Sequence, residues 1–238
     1  MNLKRYYTAF NRYKRSKGFG IHSPFAFSFV LQVLRERCPY YAYDDISSRR
    51  KLALSLAADV ARHPRIISLK NAKMLFRIVC YFNPRVMLQI GTSYGVSTTA
   101  MLDVDSRSKL VIYTGDNPHR DIYDKVTADY KGRISEAATA DEAIAHYRAV
   151  SQGDGVKFMV VNSVDSDMTR ESVMRYAEEV LDGEGVVAMR NLSRDERMAT
   201  LFNDLDSSLT YGMTFTNGRI AVIVGYRHLP RQSFSLWF

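Results

Sequence analysis

Two glycines four residues apart, three hydroxyl side chains between them and an aspartate further on are the residues best placed to hold a ligand. Gly91 and Gly95 follow the apolar run Val86 to Ile90 and precede a segment that begins V-S-T-T-A. A glycine at the carboxyl end of a buried strand permits a sharp turn, and the helix that follows turns its unpaired amides toward the same space. Thr92, Ser93 and Tyr94 add hydroxyls to the turn. Asp116 lies 25 residues after Gly91, directly past L-V-I-Y-T, where a carboxylate can accept hydrogen bonds from both hydroxyls of a ribose. Each feature has an ordinary use as well: glycine at such a turn serves packing, and Gly115-Asp116-Asn117-Pro118 makes a good turn. Strand, glycine turn, helix, strand and acid in that order favour a nucleotide-type ligand. The G-x-x-x-G spacing is not the G-x-G-x-x-G of dinucleotide sites.

These residues need a scaffold, and the pattern around them supplies one. Short apolar runs at 86–90, 110–114, 133–137, 157–161 and 185–189 alternate with amphipathic segments, of which Thr169 to Leu181 is the clearest. Such alternation predicts a parallel sheet covered on both faces by crossover helices, a doubly wound α/β domain. The rhythm ends at Y-G-M-T-F-T and R-I-A-V-I-V, where Asn217-Gly218 suits a two-residue hairpin turn and predicts antiparallel strands. A third extended run, S-F-S-L-W-F, follows. The first seventy residues read as a helical extension, folded as a lid over the α/β domain of residues 71–238. Its helices are predicted from Ser23-Pro24 to about Arg37 and from Asp44-Asp45 to about Arg62, and a further helix runs from Asn71 to Phe82.

Composition narrows the classes. The chain of 238 residues is 46% hydrophobic and carries a net charge of +8, of which the first fifty residues hold ten basic and three acidic side chains. A basic stretch with interleaved aromatics suits nucleic acid or an acidic partner. The same aromatics, Leu3, Tyr6, Tyr7, Phe10 and Tyr13, also have the spacing of a buried helical stripe, so nucleic acid ranks behind a small-molecule ligand. No apolar run approaches the roughly 20 residues that span a bilayer, and no secretory signal opens the chain, which implies a cytoplasmic protein without a membrane partner. Cys38 and Cys80 are expected to be buried thiols.

L-Q-I-G-T-S-Y-G-V-S-T resembles the first motif of the class I S-adenosylmethionine-dependent methyltransferases, in particular their small-molecule O-methyltransferase branch. The resemblance extends from about Lys73 onward, and I-H-S-P-F at 21–25 resembles the N-terminal segment of a bacterial subgroup. It implies a seven-stranded Rossmann-like sheet with antiparallel C-terminal strands and S-adenosylmethionine as cofactor. The implied cofactor residues are Gln89, Gly91, Thr92, Ser93, Tyr94, Gly95, Asp116 and Asn162, with Thr139 to Asp141 near the adenine. Three departures stand out. Gln89 replaces the usual acid of the first motif. Asn162 and Arg190-Asn191 replace the carboxylates with which metal-dependent members hold a divalent cation after the fourth and fifth strands, so no metal site is expected.

No general base is evident: His119 follows the second strand and could overlook the site, and His22 could belong to the lid. Asp165 and Asp167 could supply a carboxylate or simply begin a helix. The leading expectation is metal-independent methyl transfer to a small acceptor. The alternative is a binding or scaffold protein that keeps the fold without catalysis. The aromatics of the N-terminal helices could also form a homodimer surface.

Overall fold

The computed structural model describes residues 12–14, 16–92, 94–153 and 155–238. One sheet contains β1 (Val86–Ile90), β2 (Lys109–Tyr113), β3 (Ile134–Ala137), β4 (Phe158–Val161), β5 (Val186–Met189), β6 (Met213–Thr216), β7 (Ala221–Val224) and β8 (Gln232–Ser235). Their spatial order is β3-β2-β1-β4-β5-β7-β6-β8. The five parallel strands fall within a residue of their predicted positions. β1 is interior, with Gln89 in register with Ile112 of β2 and Val160 of β4. β4 and β5 are buried along their whole length, which is why they read as apolar runs without alternation.

The far side of the sheet holds the expected antiparallel pairing and one strand more than the seven expected. The S-F-S-L-W-F run supplies an eighth strand, β8, which pairs in parallel with β6. β7 alone is reversed, antiparallel to both β5 and β6, so β6 and β8 share the direction of the parallel set. The hairpin turn is also shifted by one residue from Asn217-Gly218. Asn217 N donates to Ile220 O at 3.2 Å, so Gly218-Arg219 form the tip, with Gly218 alone at positive φ, 81°. The Asn217 side chain closes the turn by accepting from Arg219 N and Ile220 N.

The helices are α1 (Pro24–Phe29), α2 (Tyr43–Ala57), α3 (Leu69–Phe82), α4 (Val96–Leu102), α5 (Arg120–Val126), α6 (Ala140–Val150), α7 (Asp167–Asp182) and α8 (Glu196–Ser208). Ser23 caps α1 by accepting from Ala26 N, with Pro24 in its first turn, as predicted. The helix does not reach Arg37: Val30–Leu34 continue it as a π-helical turn that stops at Leu34. Buried Arg77 of α3 meets that end, donating Nε to Val33 O at 2.6 Å and Nη1 to the Tyr43 hydroxyl at 2.9 Å.

Helices cover both faces of the sheet. Phe29, Ile78, Phe158 and Phe215 belong to the core on one face. Leu88, Ile90, Tyr147, Tyr176 and Leu201 belong to that beneath α6, α7 and α8. A third cluster, with Ile46, Phe76, Tyr94 and Ile122, joins α2, α3, the glycine turn and α5. The Tyr147 hydroxyl accepts from Phe158 N at 2.9 Å and so satisfies the first amide of β4.

The early helices thus share the core of the sheet. Phe29 meets Phe215 at 4.9 Å between ring centroids, Ser16 Oγ accepts from Trp237 N at 2.6 Å, and Arg12 donates to Leu236 O at 3.1 Å. Of the proposed aromatic stripe, Leu3, Tyr6, Tyr7 and Phe10 lie outside the described residues. Tyr13 is 45% exposed, with the Lys17 ammonium over its ring. Cys38 is exposed, contrary to expectation, because it lies past the helix end in a turn where Glu36 accepts from its amide at 2.7 Å. Cys80 is half-buried, and burial pushes its thiol up to about 11. Among the described residues no helix is long and apolar enough to cross a membrane.

Candidate functional site

A cavity of about 770 Å³ lies beyond the carboxyl ends of β1, β2, β4 and β5, where ligands bind in open parallel sheets. Its volume is in the range of small-molecule and cofactor sites. The glycine turn forms one wall through Thr92, Tyr94 and Gly95. Asp116 to His119 form a second, Asn162 and Ser163 a third, and Arg190, Asn191 and Arg194 a fourth.

The turn is shaped by close approach. Gly91 N donates to Tyr113 O at 2.8 Å, and Gly91 sits at φ 73°. A Cβ there would lie 2.7 Å from Ser163 O and 2.9 Å from Ser163 N, so glycine alone lets the turn after β1 press on the turn after β4. Thr92 lines the cavity, and its hydroxyl is buried with no hydrogen-bond partner. Tyr94 is 4% exposed and stacks on His119, with ring centroids 4.4 Å apart and planes 16° apart. Asp116 is exposed on the cavity wall. Ser93 lies outside the described residues.

Two predicted residues serve the scaffold. Gln89 is 0% exposed and does not line the cavity. Its Nε2 donates to Gly91 O at 3.3 Å and its Oε1 accepts from the Thr98 hydroxyl at 3.0 Å, tying β1 to α4. Asn162 reaches the cavity with its amide already committed: Nδ2 donates to Gly91 O at 2.8 Å and Oδ1 accepts from Arg190 at 2.8 Å. Asn191, at φ 63°, donates to Asn162 O at 2.8 Å. The departures at 89, 162, 190 and 191 are therefore coupled. Carboxylates at 89 and 162 could not donate to Gly91 O, whereas amides can. This donor set does not fit a divalent cation, since Asn162 Oδ1 is taken by a guanidinium that repels one.

Thr139 to Asp141, expected near an adenine, lie at the start of α6. Thr139 to Asp141 do not line the cavity, and Thr139 caps α6 by accepting from Glu142 N at 3.1 Å. The Tyr113 hydroxyl donates to Asp165 Oδ2 at 2.6 Å, and a Cβ on Gly115 would stand 3.1 Å from the same oxygen. The ends of β2 and β4 are thus bridged. For Asp165, partial burial raises the carboxyl's pKa, but hydrogen bonds from Thr169 and Tyr113 outweigh it and hold the group below its ordinary range. Tyr113 is correspondingly pushed up to about 12, chiefly by its bond to Asp165 and then by burial. Asp167 is an exposed first-turn residue of α7.

His119 lines the cavity, joined by His63. His22 is exposed and outside it, because its segment packs toward β6 and β7, with Phe25 against Phe215 and Tyr226. Among the described residues of the extension 1–70, the part that lines the cavity is the connection between α2 and α3, through Ala61, His63, Arg65 and Ile67. His63 lies just past the predicted end of α2 at about Arg62, and the helix itself stops earlier, at Ala57. Nothing periodic marks that connection; its one signal was the density of R-H-P-R. Arg190 is half-buried, and burial pushes its guanidinium down to about 10.

Solved structures with this architecture are numerous. An O-methyltransferase from Bacillus cereus, in complex with S-adenosylhomocysteine, superposes with a TM-score of 0.53 at 18% identity, over 82% of this chain and 96% of that one. The fold is that of the solved O-methyltransferases. A methyltransferase from Podospora anserina bound to S-adenosylhomocysteine gives 0.54 at 11% identity, over 87% and 97% of the two chains. The O-methyltransferase TomG from Streptomyces achromogenes, in complex with S-adenosylmethionine, gives 0.50 at 13% identity, over 92% and 99%. No protein-family model matches the chain, and no curated protein matches it.

Proposed function

We propose that the chain transfers a methyl group from S-adenosylmethionine to a small acceptor without a metal ion. The observation that carries this reading is the cavity at the ends of β1, β2, β4 and β5, walled by both the glycine turn and Asp116. The residues present fit the group: Thr92 has a buried hydroxyl without a partner at this wall, and Asp116 offers a carboxylate suited to a ribose. The solved O-methyltransferases of this fold that hold S-adenosylhomocysteine or S-adenosylmethionine support the assignment.

When bound, S-adenosylmethionine supplies an electrophilic methyl group whose leaving group is the thioether of S-adenosylhomocysteine. The chain's own contribution is alignment and water exclusion, which together lower the barrier of an in-line displacement. An acceptor hydroxyl or amine gives its lone pair to the methyl carbon and loses one proton. His63 and His119 are the two imidazoles in the cavity that can take it.

Calorimetric titration with S-adenosylhomocysteine tests the reading. Saturable binding should weaken at least tenfold in Asp116→Ala, because a charge-assisted pair of hydrogen bonds is lost. Absence of heat at millimolar ligand overturns it. The committed amides of Gln89 and Asn162 support a second reading, a binding protein that keeps the fold without catalysis, which predicts heat without any methylated product across a broad acceptor panel.

A further inference from the structure

Four arginines gather on one side of the site. Arg190 lies half-buried where the main cavity meets a smaller one of about 150 Å³, and Arg65 and Arg194 line both cavities. The smaller cavity adds Arg219. Among the described residues none of the four forms an ion pair. The main cavity is lined by Asp116, Asp195, which accepts from Met198 N as the cap of α8, and Glu196, whereas the described residues that line the smaller one include no carboxylate. Arg190 gives Nη1 to Asn162 Oδ1 at 2.8 Å, a neutral partner that fixes its direction and leaves its charge unmatched. A partly desolvated guanidinium without an anion is costly, and a ligand carboxylate matches its planar fork.

We propose that Arg190, flanked by Arg65 and Arg194, seats the carboxylate of a small acidic ligand, which under the methyltransferase reading is the methyl acceptor. The word acceptor rests on that reading; the anion seat does not. A single half-buried guanidinium matches the single charge of a carboxylate. The smaller cavity holds the equivalent of about five waters at ~30 Å³ each, room for a compact acid group and too little for a nucleotide. S-adenosylmethionine carries a net positive charge, so a negatively charged acceptor in the same space also relieves repulsion between the arginines and the sulfonium. The two ligands should therefore bind with positive coupling.

The experiment titrates the purified protein with small hydroxy- and amino-substituted carboxylates, each beside its primary amide, by thermal shift and calorimetry. The acids should bind at least tenfold more tightly than their amides, and raised salt should narrow the gap. Arg190→Gln should abolish the preference. Arg194→Gln, at an exposed position that does not burden folding, should reduce it. Acids and amides that bind alike, or a preference that survives both substitutions, overturn the proposal. Inorganic phosphate binding more tightly than every carboxylate overturns the assigned class.

S-adenosylhomocysteine and methylthioadenosine, which lacks the amino-acid part, separate the two possible sources of a carboxylate. If Arg190→Gln weakens only S-adenosylhomocysteine, the seat belongs to the cofactor and the proposal fails. If S-adenosylhomocysteine does not bind while the acid preference holds, the methyltransferase reading fails and the anion seat stands.

Discussion

Replacing Gly91 by alanine should destabilise the protein well beyond what its backbone angle alone demands, and Gly218→Ala is the control that separates the two effects. Both glycines are left-handed, at φ 73° and 81°. Holding an L-residue in that region costs roughly 1–2 kcal/mol. At Gly218 a Cβ meets nothing within 4 Å, so the cost ends there. At Gly91 it would meet the Ser163 backbone at 2.7 and 2.9 Å, and backbone has no rotamer through which to withdraw. Overpacking of this kind adds about 1–3 kcal/mol, for a total of about 2–5 kcal/mol. In a chain of this length each kcal/mol moves the melting temperature by roughly 2–4 °C. Urea denaturation followed by circular dichroism should therefore rank wild type above Gly218→Ala and Gly218→Ala above Gly91→Ala. Equal losses in the two variants, within about 0.5 kcal/mol, would refute the close approach of the turns after β1 and β4.

Tyr147→Phe should cost about 1–3 kcal/mol, because the buried Phe158 amide loses its acceptor and no water can replace it; a urea midpoint equal to wild type would show that the amide finds another partner. Asp165 contributes a pH dependence. Its folded pKa is depressed, so its stabilising effect is complete above the unfolded carboxyl value of about 3.9 and is lost as pH falls through the lower folded value. In Tyr113→Phe combined with Thr169→Val, which removes both side-chain donors, stability should fall less steeply as pH drops below about 3.9. Parallel curves for wild type and the double variant would show that the carboxylate is not held as described.

How much of this was legible in the sequence depended on which residues carry a pattern. β1 to β5 were readable because strands buried on both faces admit no polar alternation, and Thr169 to Leu181 because its apolar stripe has a helical period. The hairpin was readable from Asn217-Gly218, though not the one-residue shift, since that depends on the Asn217 side chain taking the place of a backbone acceptor. Gln89, Asn162 and Arg190 looked like three separate losses. Only three-dimensional contact shows that two amides converge on Gly91 O while one of them orients the arginine. The wall from Ala61 to Ile67 left only the dense R-H-P-R as a trace because an irregular connection has no period, and its cavity-facing residues are fixed by helices packed elsewhere. The Tyr113–Asp165 bridge joins residues 52 apart in sequence through a side-chain pair that no local rule anticipates.

The meeting of α1 with β6 and β8 has a kinetic consequence. Phe29 rests on Phe215, and Ser16 holds the Trp237 amide from 221 positions away in sequence. During synthesis the apolar face of α1 leaves the ribosome long before the strands that will cover it, and must wait while β1 to β5 assemble. Such long-range closure slows folding, and an amphipathic helix kept waiting is a target for chaperones and a route to aggregation. The docking of the early helix against β6 and β8 therefore has to follow the synthesis of the whole sheet.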